Sequence, residues 1–158
     1  MVEPTVFASA EDLRAAVGRH LGYSDWLEVT QERVNQFADA TDDHQWIHVD
    51  PERAAKGPFG RTIAHGYLTL ALVSALLPRL IEVPDISMAI NYGTNKVCFP
   101  SPVSVGSLIR AKAQILSVDD VPGGVQVTFQ TTIECEGADK PCCVVESIIR
   151  YLGLPSRD

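Results

Sequence analysis

From residue 66 to residue 80 the chain reads GYLTLALVSALLPRL, and no other stretch limits the fold as much. Leu68, Leu70, Ala71, Leu72, Val73, Ala75, Leu76, Leu77 and Leu80 leave it no polar face. A helix that is apolar all round has to be buried on every side. Thr69 and Ser74 are its uncharged polar interruptions, on different faces, and Pro78 ends or kinks it. The uninterrupted apolar part, Tyr67 to Leu77, falls well short of the roughly 20 residues a membrane span needs. The rest of the chain has to supply the cover.

That cover reads as β-sheet. Ile109, Ala111, Ala113 and Ile115 alternate with polar residues. So do Val125, Val127, Phe129, Thr131 and Ile133. A third run, Cys143 to Tyr151, is apolar on both faces, which predicts a central or partner-covered strand. Pro122-Gly123-Gly124 and Gly137-Ala138-Asp139 mark the turns between runs. Two further strands are expected over 86–92 and 96–99, interrupted at Gly93. Upstream, Ser9 starts a helix carrying Leu13, Ala16, Val17 and Leu21, which Gly22 ends. Trp26 to Val29 is a short strand. Thr30 caps a helix with Val34, Phe37 and Ala38 on one face, and Asp50-Pro51-Glu52 opens another. A long antiparallel sheet curled around one apolar helix is the α+β hot-dog arrangement. One sheet leaves a flank of that helix open, so the expectation is a homodimer.

The 158 residues are expected to form one domain over 1–158, with a core at about 26–152 and an N-terminal helical extension. A net charge of −7 argues against a nucleic-acid partner. Four cysteines form no CxxC pair, and the N-terminus has no basic region leading into an apolar run. Reduced thiols and a cytoplasmic location are the default reading.

The chemistry concentrates in FADATDDHQWIHVDP, residues 37–51, which mixes carboxylates and imidazoles with Trp46 and Ile47. Asp43 and His48 can share one water as a carboxylate and imidazole pair, or stand as a helix-terminal acid and a satisfied loop histidine. His44 and His48 have HxxxH spacing, but they lack the intervening Glu and lie between helices, so no metal site is expected. Asp42 reads as a solvated turn residue and Asp50 as a helix cap. His65-Gly66 opens the apolar helix, where free N–H groups and the missing Cβ can receive a developing oxyanion. Alternatively, Gly66 serves only to start a crowded helix and His65 is a core histidine. Nothing matches a nucleophile elbow, a dinucleotide fingerprint or a P-loop.

TDDHQWIHVDPERA followed by TIAHGYLTLALVS resembles the MaoC-like hydratases, the (R)-specific enoyl-CoA hydratases. The DHQWIH wording is most similar to mycobacterial single-hot-dog enoyl-CoA hydratases and to nodulation protein N. Thr41, Asp43, Ile47 and His48 fall on that family's motif. Asp42 stands where the family has Gly and places a like charge beside Asp43; Gln45 and Trp46 stand for Asn and Pro. The resemblance implies hydration of a trans-2-enoyl-CoA to the (R)-3-hydroxyacyl-CoA, with no metal or organic cofactor. Asp43 would activate water, His48 would orient it and protonate C2, and the Gly66 N–H would hold the thioester oxygen. His65, Tyr67 and Ser74 would contact substrate. Asn91, Tyr92 and Gly93 are expected along the acyl or pantetheine channel because they precede the strand break. Lys56, Arg61 or Lys96 would meet the CoA phosphates. A hot-dog acyl-CoA thioesterase is disfavoured because the apolar helix lacks an acid. A non-catalytic acyl-binding or partner subunit is disfavoured because the Asp/His pair is present.

Overall fold

Period-two alternation becomes a single sheet. In the computed structural model, which describes residues 1–154, eight strands and six short helices follow one another. They are β1 (Thr5–Val6), α1 (Ala10–Ala15), β2 (His20–Tyr23), β3 (Leu27–Glu28), α2 (Gln31–Thr41), α3 (Trp46–Val49), α4 (Pro51–Ala55), α5 (Gly66–Ala71), α6 (Val73–Leu76), β4 (Ile81–Glu82), β5 (Met88–Cys98), β6 (Leu108–Val121), β7 (Gly124–Cys135) and β8 (Cys143–Leu152). A 3-10 turn, Leu77–Arg79, joins α6 to β4. The main sheet runs β2-β6-β7-β8-β5 with every pair antiparallel, and β3 adds to the far end of β6. The four residues after Leu154, which the single-domain expectation over 1–158 includes, lie outside the described residues.

The alternation read from the sequence sets the core. Ile109, Ala111, Ala113 and Ile115 on β6 and Val125, Val127, Phe129, Thr131 and Ile133 on β7 all point inward and are buried. β8 is an inner strand between β7 and β5; Cys143, Val145 and Tyr151 are buried, while Val144, Ile148 and Leu152 on its other face are half-buried. Leu68, Leu72, Val73, Leu76 and Leu77 of the central helical segment close the core against this sheet.

Several expectations change. The first helix ends at Ala15, and His20–Tyr23 joins the sheet as β2 instead of continuing it. Leu13 is buried and β1 pairs in parallel with β4, so the N-terminal segment packs against the rest of the fold. There is no strand break at Gly93: β5 is continuous and absorbs the irregular spacing in two register shifts, at Asn91/Gly93 and Thr94/Val97. Residues 46–49 form a helical turn where an irregular segment was expected.

The last concerns the apolar helix. It divides at Leu72 into α5 and α6, and Pro78, without an N–H, tightens the following turn to 3-10. It is not covered on every side. Tyr67, Ala71, Ser74 and Pro78 form one exposed stripe, spaced three or four residues apart. The sheet covers the opposite stripe, and the exposed one looks out beside β5.

Candidate active site

Thr30 caps α2 by accepting from the Arg33 N–H at 3.1 Å, and α2 buries Val34 and Ala38 on the face that was expected. The helix stops at Asp42, whose φ of 58° is left-handed. A glycine adopts that conformation freely, and Asp tolerates it better than most L-residues. Asp42 therefore turns the chain where the family pattern has Gly, and it is exposed, as expected of a turn residue. Asp50 caps α4 through the Arg53 N–H, with Pro51 in the first turn.

Between these caps, His48 is held from three directions. Its Nδ1–H donates to the Ile63 carbonyl at 2.7 Å. Its own carbonyl accepts from Gln31 Nε2 at 2.8 Å, and Gln31 in turn accepts from Thr62 Oγ1 at 2.7 Å. The Ile63 N–H donates to the Ile47 carbonyl at 2.9 Å, which ties the two segments together. With the proton on Nδ1, a neutral His48 presents Nε2 as an acceptor. The residue is only 6% exposed. Burial holds its pKa below the usual histidine value; the Ile63 carbonyl pulls it up, the nearby His65 pushes it down and Asp43 pulls it up again.

His65 stacks on the His48 ring at 3.8 Å between centroids. Its Nε2–H donates to the Asp43 backbone carbonyl at 2.9 Å. Asp43 itself remains about half exposed. One side-chain oxygen or nitrogen of each of Asp43, His48 and His65 lies within 4.8 Å of the others. A water hydrogen-bonded to two acceptors at normal distances holds them about 4.6 Å apart, so the spacing suits one bridging water. It suits a metal poorly. The stacked rings lie side by side, whereas a metal needs lone pairs converging in the ring planes, and the Nε2 of His65 is already committed. His44 turns away from this group, bonding Asp39 on α2 at 2.8 Å, so the HxxxH pair separates.

Gly66 follows directly. A Cβ there would come within 3.3 Å of the Phe99 ring, so glycine is what lets that ring close the wall. His48, Gly66, Thr69, Phe99, Val103 and Cys142 line a mainly apolar groove of about 270 Å³. The six-residue α5 carries only a small dipole. A second cavity, about 300 Å³, lies at the other end of the helix. It takes in Val73, Ser74, Leu77, Ala89, Asn91 and Ile149. Asn91 Nδ2 donates to Ser74 Oγ there at 3.4 Å.

The fold thus brings Asp43, His48, His65 and Gly66 together. It puts Ser74 and Asn91 elsewhere in the same chain: eight residues of helix separate Gly66 from Ser74, about 12 Å. Tyr92 lies on the outer face of β5 under Arg150, at 3.6 Å from guanidinium to ring centroid. Gly93 pairs with Ile148 in the strand. Tyr67, 74% exposed, meets the edge of Phe99.

Comparison with known proteins agrees with the motif. The family described as "MaoC like domain" matches residues 12–136. The chain belongs to the MaoC-like family. It is 58% identical to 3-hydroxyacyl-thioester dehydratase Z of Mycobacterium tuberculosis, over 92% of this chain and 97% of that protein. It is 43% identical to nodulation protein N of Rhizobium leguminosarum bv. viciae, over 84% of each. Among solved structures, the (R)-hydratase from A. caviae involved in PHA biosynthesis superposes with a TM-score of 0.69 at 27% identity, covering 88% of this chain and 96% of that one. The hot-dog fold expected from sequence is the fold of these MaoC-like relatives.

Residues that sequence reasoning missed at this MaoC-like site are those acting through backbone or shape. Gln31 looks like an ordinary first-turn residue. Ile63 contributes only its carbonyl, and Phe99 follows a strand with no motif. None carries a signal in type or spacing.

Proposed function

We propose that this MaoC-like protein is a hydro-lyase that adds water across the C2=C3 bond of a trans-2-enoyl-CoA to give the (R)-3-hydroxyacyl-CoA, and catalyses the reverse dehydration. The observation that carries the reading is the pairing of Asp43 and His48 across the width of one water, beside the Gly66 N–H and an apolar groove. The dehydratase and (R)-hydratase relatives support the same reaction.

The His48 tautomer sets the division of labour. The water donates one hydrogen to Nε2 of His48 and the other to the Asp43 carboxylate. As its oxygen bonds to C3, the π pair moves to C2 and the thioester oxygen, where the Gly66 N–H receives the charge. Nε2 takes the proton and then returns it to C2 on the face the water came from, which makes the addition syn and leaves His48 neutral. Asp43 aligns the water and stabilises the transient imidazolium.

The working unit we propose is a homodimer, with a second copy covering the exposed helix stripe and β5. A two-fold that sets the helices antiparallel lays the Ser74–Asn91 cavity of one copy next to the Gly66 end of the other, giving the acyl chain a composite channel. Exposed Lys56, Arg61 and Lys96 are the cations proposed for the CoA phosphates. No helix among the described residues is long and apolar enough to cross a membrane, and we place the enzyme in the cytoplasm.

Purified protein given crotonyl-CoA and a longer trans-2-enoyl-CoA is expected to bleach the enoyl absorbance and yield the (R)-alcohol. Asp43→Asn and His48→Ala should each lower kcat by about 10² to 10⁴ while remaining folded. Release of free CoA thiol in place of the alcohol, or near-normal turnover in either variant, would overturn the assignment.

A further inference from the structure

We infer that His65 is a positioning residue that holds Asp43, His48 and Gly66 in one register, an inference that rests on the hydratase reading above. Three contacts converge on this one side chain and its backbone. Nε2–H donates to the carbonyl of Asp43. The ring lies face to face on His48, with 23° between planes. The residue caps α5, its carbonyl accepting from the Leu68 and Thr69 N–H groups, so Gly66 is fixed as its direct neighbour. Phe37 of α2 packs on the ring at 4.9 Å, and His65 is 3% exposed.

Packing alone does not call for a histidine here. Nδ1 of His65 is buried and finds no hydrogen-bond partner among the described residues. Burying a ring nitrogen unpaired is unfavourable, and an apolar ring of that size would avoid it. The other nitrogen is what the site uses: it holds the backbone of Asp43, the water-aligning carboxylate, which otherwise sits in an exposed turn. There the Asp43 carboxylate accepts a long hydrogen bond, 3.4 Å, from the Gln45 N–H to Oδ1, and its Oδ2 lies 4.0 Å from the same His65 Nε2. With Nε2 committed to that carbonyl and Nδ1 enclosed, His65 acts through Asp43 and His48 and not through substrate.

Misplacing a reacting group by about 1 Å costs on the order of 100-fold in rate. Two variants separate the donor from the ring. His65→Phe keeps a stacking surface and removes the N–H; His65→Gln keeps a donor near the Nε2 position and removes the ring. In hydration of trans-2-enoyl-CoA, His65→Phe is expected to lower kcat about 10- to 100-fold with KM within about threefold, and His65→Gln to recover most of that loss.

The second readout is the imidazole titration of His48, followed by NMR. The titratable groups around that ring are Asp43 from the α2–α3 turn, His65 from the start of α5 and, across the groove, the thiol of Cys142 on the approach to β8, which burial pushes up to about 12. Removing His65 removes its repulsion of the imidazolium, so the His48 titration should move to higher pH in both variants.

Equal loss of kcat in the two variants, or a rise in KM at constant kcat, would overturn the positioning role. A His48 titration unmoved in both would overturn it even where no enoyl thioester is turned over. Asp43-dependent hydration by the parent protein with a fully active His65→Phe would sink this inference and leave the hydratase reading standing. Thermal melts establish that each variant is folded. Should one of them fail to fold, kcat and the His48 titration of the other still decide for or against the role.

Discussion

β7 and β5 are strands of nearly equal length in one sheet, yet they meet opposite fates. β7 lies between β6 and β8. Val125, Val127, Phe129, Thr131 and Ile133 are buried beneath it, and Gln126, Gln130 and Glu134 on its other face bond to neighbours. β5 pairs on one side only and is exposed almost throughout, with Met88, Ile90 and Tyr92 open. An apolar strand with an unpaired edge is a template for another chain. The exposed stripe of the central helix lies on the same flank. The difference teaches where one copy of this chain completes its own surface and where it does not.

The largest effect on stability should come from the self-sufficient side. Phe129 is fully buried, and Phe129→Ala is expected to cost about 3–5 kcal/mol through lost transfer energy and the cavity left behind. Urea unfolding at fixed protein concentration measures it. A loss under about 1 kcal/mol would mean that the centre of the sheet is less tightly packed than its burial implies.

The open side makes the next prediction. Ala71 is exposed on the helix stripe of a single chain, where Ala→Glu should cost under about 0.5 kcal/mol. Beneath a partner, the same change buries an unpaired charge and costs about 3–5 kcal/mol. Sedimentation at micromolar concentration should therefore find Ala71→Glu monomeric where the parent is dimeric. A dimer that survives the substitution would place the interface away from the central helix, and the contrast between the two flanks would lose its meaning.

The same contrast decides what could be read from the sequence. Alternation and helix caps depend on a residue's own neighbours in the chain, so β6, β7, the Thr30 and Asp50 caps and the Asp43–His48 pair were all legible. The closed core helix was not: its apolar pattern reports the burial it needs, and one chain supplies only part of that. The break expected at Gly93 failed because a glycine that weakens a strand also fits a bulge, and β8 pairs across it. The first helix failed in the other direction. Ala16, Val17 and Leu21 keep helical spacing, but Gly18 adopts a φ of 83° and turns the chain into the sheet. At the candidate site, the residues proposed for the chemistry drew attention by their type. Their supports, Gln31 and the Ile63 carbonyl, act through contacts between segments that only the fold brings together.

The smallest effect tests why the outer face of β7 needs no cover. Glu134 accepts from Arg110 and Lys112, with contacts of 3.1 Å to each, and all three are partly exposed. Partial burial by itself raises the Glu134 pKa, but the two cations outweigh it and hold the carboxyl below its ordinary 4.5. A carboxylate with a depressed folded pKa adds stability that is present above its unfolded value and lost as pH falls through the folded one. Glu134→Gln should therefore cost under about 1 kcal/mol at pH 7, the usual worth of half-exposed ion pairs. The gap between parent and variant should close as the pH is taken well below 4.5. Urea midpoints at pH 7 and pH 3 measure both halves. A gap that stays constant with pH would mean that Glu134 contributes through packing, and that charge is not what lets the outer face of β7 meet water.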